Sequence, residues 1–593
     1  MPQKIEQILI FPMILLVLIQ ERVVYCMSCT APCNCTIRED VSIGTMACEW
    51  SNSSVIIAID YAITDVDDYD FSETKYDSEY LDFDTIPKEI IITCQGTSYP
   101  CEDLPLFDKS FEAFPKQMHI NSCSSDILRC FKHIYPNVSS IEAIWFYDSK
   151  DISPIIFNSY PEVAYVTYIM GELQLYPYMF KGTRMKVILF DRVRMKSIPD
   201  DTFNGAAVVR LGIVNSDIKR ITSAAFRGLS LEYLYLVNNT MLNAIDRQCF
   251  SNIENLENLK LLSNNIKYLS NELLRGLSNM KAVYIIDNMR KLTLDSQVFA
   301  HTSLNLVQVS NAKLDILPVD LLLYSDNLWS VNFENNLIEH LPPKLFWHTV
   351  SVKDINLKRN KIQILPEYVF SQMYLLQKVD LRENNIFQLN RFIFGKYFTL
   401  NNLLLDNNRI SVTSMSTFED VQIKNLSLSS NKIKYFNTTG VTWSIFDLNL
   451  SDNDISQFSH ILQELPELKK LNLTRNNINS VNESVVIAHG VVIDLRNNNI
   501  SDIIKDSDVD LKSVLKPFLY LSNNPFEHNC RVTTILKNWN IKGLLVDSET
   551  ITFTDGDHLS KSKLYAVCNN GEIDITFVGS WTIGGLVMLI IVI

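Results

Sequence analysis

The sequence predicts an α/β solenoid, a stack of coils sharing one long parallel sheet. Three observations predict it. A phrase of 14 residues recurs as VKDINLKRNKIQIL from Val352, LQKVDLRENNIFQL from Leu376 and LKKLNLTRNNINSV from Leu468, apolar at places one, four, six, eleven and fourteen. The asparagine at place nine recurs with it: Asn336, Asn360, Asn384 and Asn408 stand 24 apart. That register runs back through Asn288, Asn264 and Asn239 and forward through Asn431, Asn453, Asn476, Asn498 and Asn524, in steps of 22 to 26. A second column, Phe180, Phe203, Phe226, Phe250, Phe299, Phe346, Phe370, Phe394 and Phe418, follows nine to eleven residues behind the asparagine place. A period of this size marks a solenoid.

Each column has a physical reason. Places three to seven alternate polar and apolar, as in Asp354-Ile355-Asn356-Leu357-Lys358, the pattern of a strand with one buried face. One such strand cannot hide its apolar face alone, so stacked copies pair in parallel and bury Leu on Leu. Asparagine comes where the chain turns out of the strand, and there its amide can bond exposed backbone groups from coil to coil. The phenylalanines line the side of the core opposite the sheet. Gly171, Val193, Ser216 and Ala312 occupy the asparagine place in other coils, whose turns are expected to be less regular.

The segments L-x-x-L-x-L-x-x-N-x-I resemble the leucine-rich repeat family, and P-x-x-x-F from Pro366 to Phe370 is similar to its extracellular type. The resemblance covers roughly two thirds of the chain. It implies a leucine-rich repeat horseshoe of about 16 repeats over residues 137–526, with a concave parallel β-sheet, disulfide-bonded caps at both ends and a binding role.

Bulk properties narrow the class. A chain of 593 residues exceeds one globular core, which a solenoid accommodates by adding coils. A net charge of −14 argues against nucleic acid as the main partner. Twelve cysteines, most near the ends of the array, suggest an oxidising compartment.

Residues 1–26 place Lys4 before the apolar run Ile8 to Ile19 and read as a secretory signal peptide. Residues 27–136 are expected to form the N-terminal cap. Its spacing Cys29-x3-Cys33-x-Cys35-x12-Cys48 is similar to the family's cap, which implies pairing of Cys29 with Cys35 and Cys33 with Cys48. Such a cap covers the apolar edge of the first coil. Zinc is disfavoured, because no histidine lies nearby. Residues 51–84 form an acidic insertion, expected to be a solvated loop because its charges repel. A sharper reading makes Tyr69, Tyr76 and Tyr80, embedded in acid, sulfated and able to hold a basic partner. The partners of Cys94, Cys101, Cys123 and Cys130 stay open, and Cys249 reads as a buried free thiol.

Residues 527–570 fit the family's C-terminal cap through Cys530, Trp539 and Cys568, implying a Cys530–Cys568 disulfide; His528 stands where the family usually has a further cysteine. Asp555 and Asp557 read as a solvated turn. The segment 571–593 is a hydrophobic membrane-attachment segment, and two readings remain open: a GPI-anchor signal with Asn569, Asn570 and Gly571 as its small residues, or a single span.

No G-x-S-x-G, H-E-x-x-H, phosphate loop or Gly-rich dinucleotide turn occurs, and the nine histidines show no ligand spacing, so neither an enzyme, a cofactor nor a metal site is expected. Binding is the remaining source of function. Places three, five and seven point out of the sheet, and three neighbouring repeats there read Ser330, Asn332, Glu334; Asp354, Asn356, Lys358; and Lys378, Asp380, Arg382. Mixed charge on a rigid sheet suits a polar protein surface. Glycan acceptors occur at Asn34, Asn52, Asn137, Asn238, Asn425, Asn437, Asn449, Asn472, Asn482 and Asn499, leaving the repeats between Asn238 and Asn425 unshielded.

The plan resembles Toll- and chaoptin-type ectodomains and membrane-attached leucine-rich immune proteins of insects. That resemblance implies a cell-surface recognition, adhesion or co-receptor protein on the extracellular side of the plasma membrane, with a protein ligand and a homodimer within reach. The alternative is an innate-immune Toll-like receptor ectodomain whose cytoplasmic signalling part is absent from this chain.

Overall fold

A computed structural model describes residues 117–123, 141–149, 163–251, 253–390, 392–394, 398–411, 421–437, 445–483, 491–504 and 519–562, with Leu128, Tyr160 and Leu564. It also describes the backbone of strands within 33–60, 89–94 and 582–587. The chain divides into two compact units, Met1–Arg290 and Lys291–Ile593.

The first unit opens with antiparallel pairing, Cys33–Asp40 with Ile43–Trp50 and then Val55–Asp60 with Glu89–Cys94. The start of the acidic insertion is therefore not a loop. Val55-Ile-Ile-Ala-Ile is an apolar, β-branched run, and it forms a strand paired on both sides. The register opposes Cys35 to Cys48 and Cys33 to Trp50. From Glu89–Cys94 onward the pairing is parallel, through Gln117–Asn121, Ala143–Tyr147, Tyr165–Ile169, Arg184–Asp191, Ala207–Val214, Ser230–Val237, Asn258–Leu262 and Ala282–Ile286. Parallel coils thus begin upstream of the point where asparagines make them legible.

The second unit continues the pattern by itself, from Leu306–Ser310 through Ser330–Asn332, Asp354–Asn356, Lys378–Asp380, Phe398–Leu404, Val421–Ser427, Ile445–Asn449 and Lys470–Asn472 to Val492–Asp494 and Leu519–Tyr520. Inward residues such as Val331, Ile355, Val379 and Leu403 are buried, each over its counterpart in the next coil. The described phenylalanines of the second column are buried too, with Phe180–Phe203 centroids 5.1 Å apart and Phe370–Phe394 5.5 Å apart. Phe418 lies outside the described residues.

The asparagines do what their position demands. Asn360 donates through Nδ2 to the carbonyls of Phe333 (2.9 Å) and Leu357 (3.0 Å), and its Oδ1 accepts from the Ile338 amide (3.1 Å). Each buried amide so joins its own strand end to the preceding coil. Asn384 and Asn408 repeat the arrangement. One feature of the turn was not foreseen: the residue at place eight is left-handed. From Asn311 through Asn335, Arg359, Glu383, Asn407, Ser430, Asp452, Arg475 and Asn497 to Asn523, its φ lies between 51° and 58°.

Of the turns where asparagine is missing, two are less regular as expected, Gly171 (φ 87°) and Lys313 (φ 54°) each adding a second left-handed residue, but place eight itself is unchanged in all four. Met170, Arg192, Asn215 and Asn311, which precede Gly171, Val193, Ser216 and Ala312, keep the same left-handed conformation, with φ of 59°, 53°, 52° and 51°. Substitute bonds sustain it. The Asp217 carboxylate accepts from the Met195 amide at 2.8 Å, and Asn239 reaches the Ser216 amide at 3.0 Å.

The end of the second unit is closed by a cap. Asp547 accepts from the amides of Leu521 (3.0 Å), which a further coil would otherwise satisfy, and Ser522 (2.7 Å), which lacks an asparagine at place five to close it. Helix Cys530–Ile541 starts with Asn529 accepting from the Val532 amide and buries Val532, Ile535, Leu536 and Trp539, a helical stripe. Cys123 and Cys530 each belong to a separate disulfide, and Cys249 is free and buried, its thiol pushed up by desolvation and then by Asp246. The side chains of Cys29, Cys33, Cys35, Cys48 and Cys568 lie outside the described residues. So do those of Asn34, Asn52, Asn137, Tyr69, Tyr76 and Tyr80. Of 571–593 only the strand pair Thr582–Ile583 with Leu586–Val587 is described. Among the described residues no helix is long and apolar enough to cross a membrane.

Candidate functional site

Three strands bring the expected site together. Ser330, Asp354 and Lys378 are register partners across them, as are Asn332, Asn356 and Asp380. All but Asp380 are at least partly exposed.

Much of this polarity is already engaged. At place five, Asn332 accepts from the Glu334 amide (2.9 Å) and Asn356 from the Lys358 amide (3.0 Å). Asn449 and Asn472 do the same for Ser451 and Thr474. These side chains close the strand end, so their polarity is structural before it is functional. Asp380 departs from the expectation of an outward, accessible group. It is 3% exposed, because Arg382 folds over it and clasps both carboxylate oxygens. Asp494 and Arg496 repeat that clasp.

The remaining charges form a network. Lys358 Nζ lies 3.3 Å from Glu383 and 4.0 Å from Glu334, and Arg359 lies 2.9 Å from Glu383. Asn356 Nδ2 donates to Glu334 at 3.0 Å. Arg359 first, and then Lys358, hold the Glu383 carboxyl below its ordinary range. Arg359 and Glu383 were missed from sequence because they sit at place eight, where the left-handed turn sets their side chains beside the sheet face. Glu334, Asp354, Asp380 and Glu383 balance Lys358, Arg359, Lys378 and Arg382, four against four, within a chain of net −14. The face is charge-balanced and preorganised, which favours selectivity over bulk attraction.

The outward face in the first unit is of another kind and was also missed. It carries Trp145, Tyr165, Tyr233, Tyr235 and Tyr284, with Lys260 Nζ 5.2 Å from the Tyr235 ring centroid and 5.4 Å from that of Tyr284. Their alternation with buried residues was the available signal; Asn239, Asn264 and Asn288 frame Tyr233, Tyr235, Lys260 and Tyr284, while no asparagine frames Trp145 and Tyr165.

The acids expected in a solvated turn are tied to the cap. His528 bonds Asp555 through Nδ1 and lies 2.8 Å from Ser562 Oγ through Nε2, while its ring stacks on Phe553 at 4.3 Å. His528 holds the Asp555 carboxyl below its ordinary range, helped by the Asp557 amide. The connectivity is that of a hydrolytic relay, but Ser562 is buried and its hydroxyl also accepts from the Leu564 amide, so the three groups fasten the cap. Among the described residues no cluster of three or more metal-ligating side chains forms.

This geometry, short parallel strands joined by an amide ladder with the turn opposite lined by phenylalanine, defines a leucine-rich repeat solenoid. The family model for BspA type leucine-rich repeat regions matches residues 173–307 in six copies, and that for the leucine-rich repeat matches 326–386. No curated protein matches. Among solved structures, Drosophila Toll in its complex with Spatzle superposes with a TM-score of 0.57 at 16% identity, covering 89% of this chain and 75% of that one. The glycosylated form gives 0.60 at 16% identity, covering 90% and 76%. Residues 173–307 and 326–386 are leucine-rich repeats, and the fold resembles that of Toll.

Proposed function

We propose that this chain is a cell-surface recognition, adhesion or co-receptor protein that binds a protein partner through the polar sheet face between Ser330 and Arg382. One observation carries the reading: a charge-balanced, hydrogen-bonded set of side chains repeats in register over three strands, in a stretch without glycan acceptors from 239 to 424. Asn332, Glu334, Asp354, Asn356, Lys358 and Lys378 form the contact surface, and the Arg382–Asp380 clasp holds its edge. Acceptors at Asn425, Asn449 and Asn472 set sugar beside it on the same sheet. Secretion by a signal peptide, disulfide caps and attachment through 571–593, by GPI anchor or by single span, complete the proposal. Toll in complex with Spatzle lends weight to a second reading, an innate-immune receptor ectodomain with a protein ligand.

The test is binding of the purified chain to cells of its source. Saturable binding should fall at least tenfold with Lys378→Glu, an exposed residue whose reversal unbalances the face. Binding indifferent to that change would overturn the assignment. Release of the native protein by a phosphatidylinositol-specific phospholipase separates the two modes of attachment.

A further inference from the structure

We propose that the turn face around Trp347 in the second unit is a contact between two copies of this chain. Val319, Asp320, Lys344, Trp347 and His348 line one shallow cleft. Trp347 is 51% exposed and Val319 54%, and Lys344 Nζ lies 5.0 Å from the Trp347 ring centroid. Beside them Tyr324, 52% exposed, is held between His301 and His348 at 4.9 and 4.7 Å. These rings are fixed before anything arrives, which lowers the entropic cost of burying them. Tyr368, on the turn of the next coil, is 54% exposed as well, so large apolar side chains stand exposed on three successive turns. Apolar exposure on that scale points to an interface.

Charge and sugar identify the occupant. Two copies each carrying −14 repel over most of their surface, so they can meet only where charge is balanced locally. The cleft supplies one acid and one base, Asp320 from one coil and Lys344 from the next. An isologous contact needs a self-complementary patch. A twofold axis near Trp347 would set Lys344 of each copy against Asp320 of the other, with the indoles buried between. No glycan acceptor lies between 239 and 424, so no sugar there obstructs either copy.

Sedimentation equilibrium of the glycosylated full chain tests this. The expected result is a reversible dimer with a dissociation constant on the order of 10 μM. Trp347→Asn removes the indole and, with Thr349 two places on, creates a glycan acceptor at the centre of the contact. It should weaken the dimer about thirtyfold or more, as loss of a central tryptophan does. Should that variant fail to fold, the charge exchange decides: Lys344→Asp and Asp320→Lys should each weaken the dimer about tenfold, and the two together should restore it. A wild-type chain monomeric up to ~100 μM, a dimer indifferent to Trp347→Asn, or a double exchange that restores nothing would overturn the proposal.

Discussion

Between Asn336 and Asn524 each coil hands its turn to a ladder asparagine, as Asn239, Asn264 and Asn288 already do in the first unit, whereas between Phe146 and Phe226 the turns lack that residue and neighbouring coils meet through stacked rings. Phe146, Tyr168 and Phe190 lie 5.0 Å apart in succession, with Phe180 and Phe203 at 5.1 Å. There the asparagine place holds Gly171, Val193 and Ser216. The outward faces differ in the same sense, aromatic in the first unit and charged in the second. The backbone path is nonetheless alike, down to the left-handed residue at place eight. Period and apolar alternation therefore specify the coil, and the means of tying coils together can vary.

That contrast can be broken most sharply at the ladder. Asn384→Ala strips partners from the Ile362 amide and the Leu357 and Leu381 carbonyls, and should cost about 3–4 kcal/mol in denaturant titration. Ser216→Ala in the first unit, where the hydroxyl bonds only the Val214 carbonyl, should cost about 1 kcal/mol. Equal losses would show that the two regions are held in the same way.

Gly171→Ala comes next. At φ of 87° an added Cβ would stand 2.9 Å from Asp148 Cα, so about 2–3 kcal/mol should be lost and the melting midpoint should drop. In the same unit, burial lowers His119 to about 4 from its ordinary 6.5. The folded state then refuses a proton that the unfolded state takes. Its contribution is full above about 6.5 and is lost as pH falls towards 4, up to about 2 kcal/mol for a ring that keeps some exposure. His119→Phe should flatten stability over that window; an unchanged slope would remove His119 as its cause. The smallest effect is a gain. Tyr168 is buried between Phe146 and Phe190, and its hydroxyl has no hydrogen-bond partner among the described residues. Tyr168→Phe should therefore stabilise by about 1 kcal/mol, and a loss would reveal a bonded hydroxyl.

The second unit was legible because asparagine is rare enough at a fixed interval to frame the coils, and buried phenylalanine confirmed the frame. The first unit was legible from Asn239 onward and only in outline before it, since rings stack from many registers and Tyr168 or Phe190 announces no place of its own. At the site, the strands and outward places were readable from alternation alone. What alternation could not convey is engagement: Asp380 looks like Asp354 in sequence, yet Arg382 two residues on covers it. Nor could it convey place eight, where Arg359 and Glu383, one coil apart, pair at the margin of the sheet face.

A matched pair of charge reversals tests the central claim most directly, that the polar face and not the aromatic one meets the partner. Cell binding of Lys378→Glu and Lys260→Glu should be measured side by side with the unaltered chain. The account predicts at least a tenfold loss for Lys378→Glu and less than a twofold change for Lys260→Glu. The reverse order would contradict it.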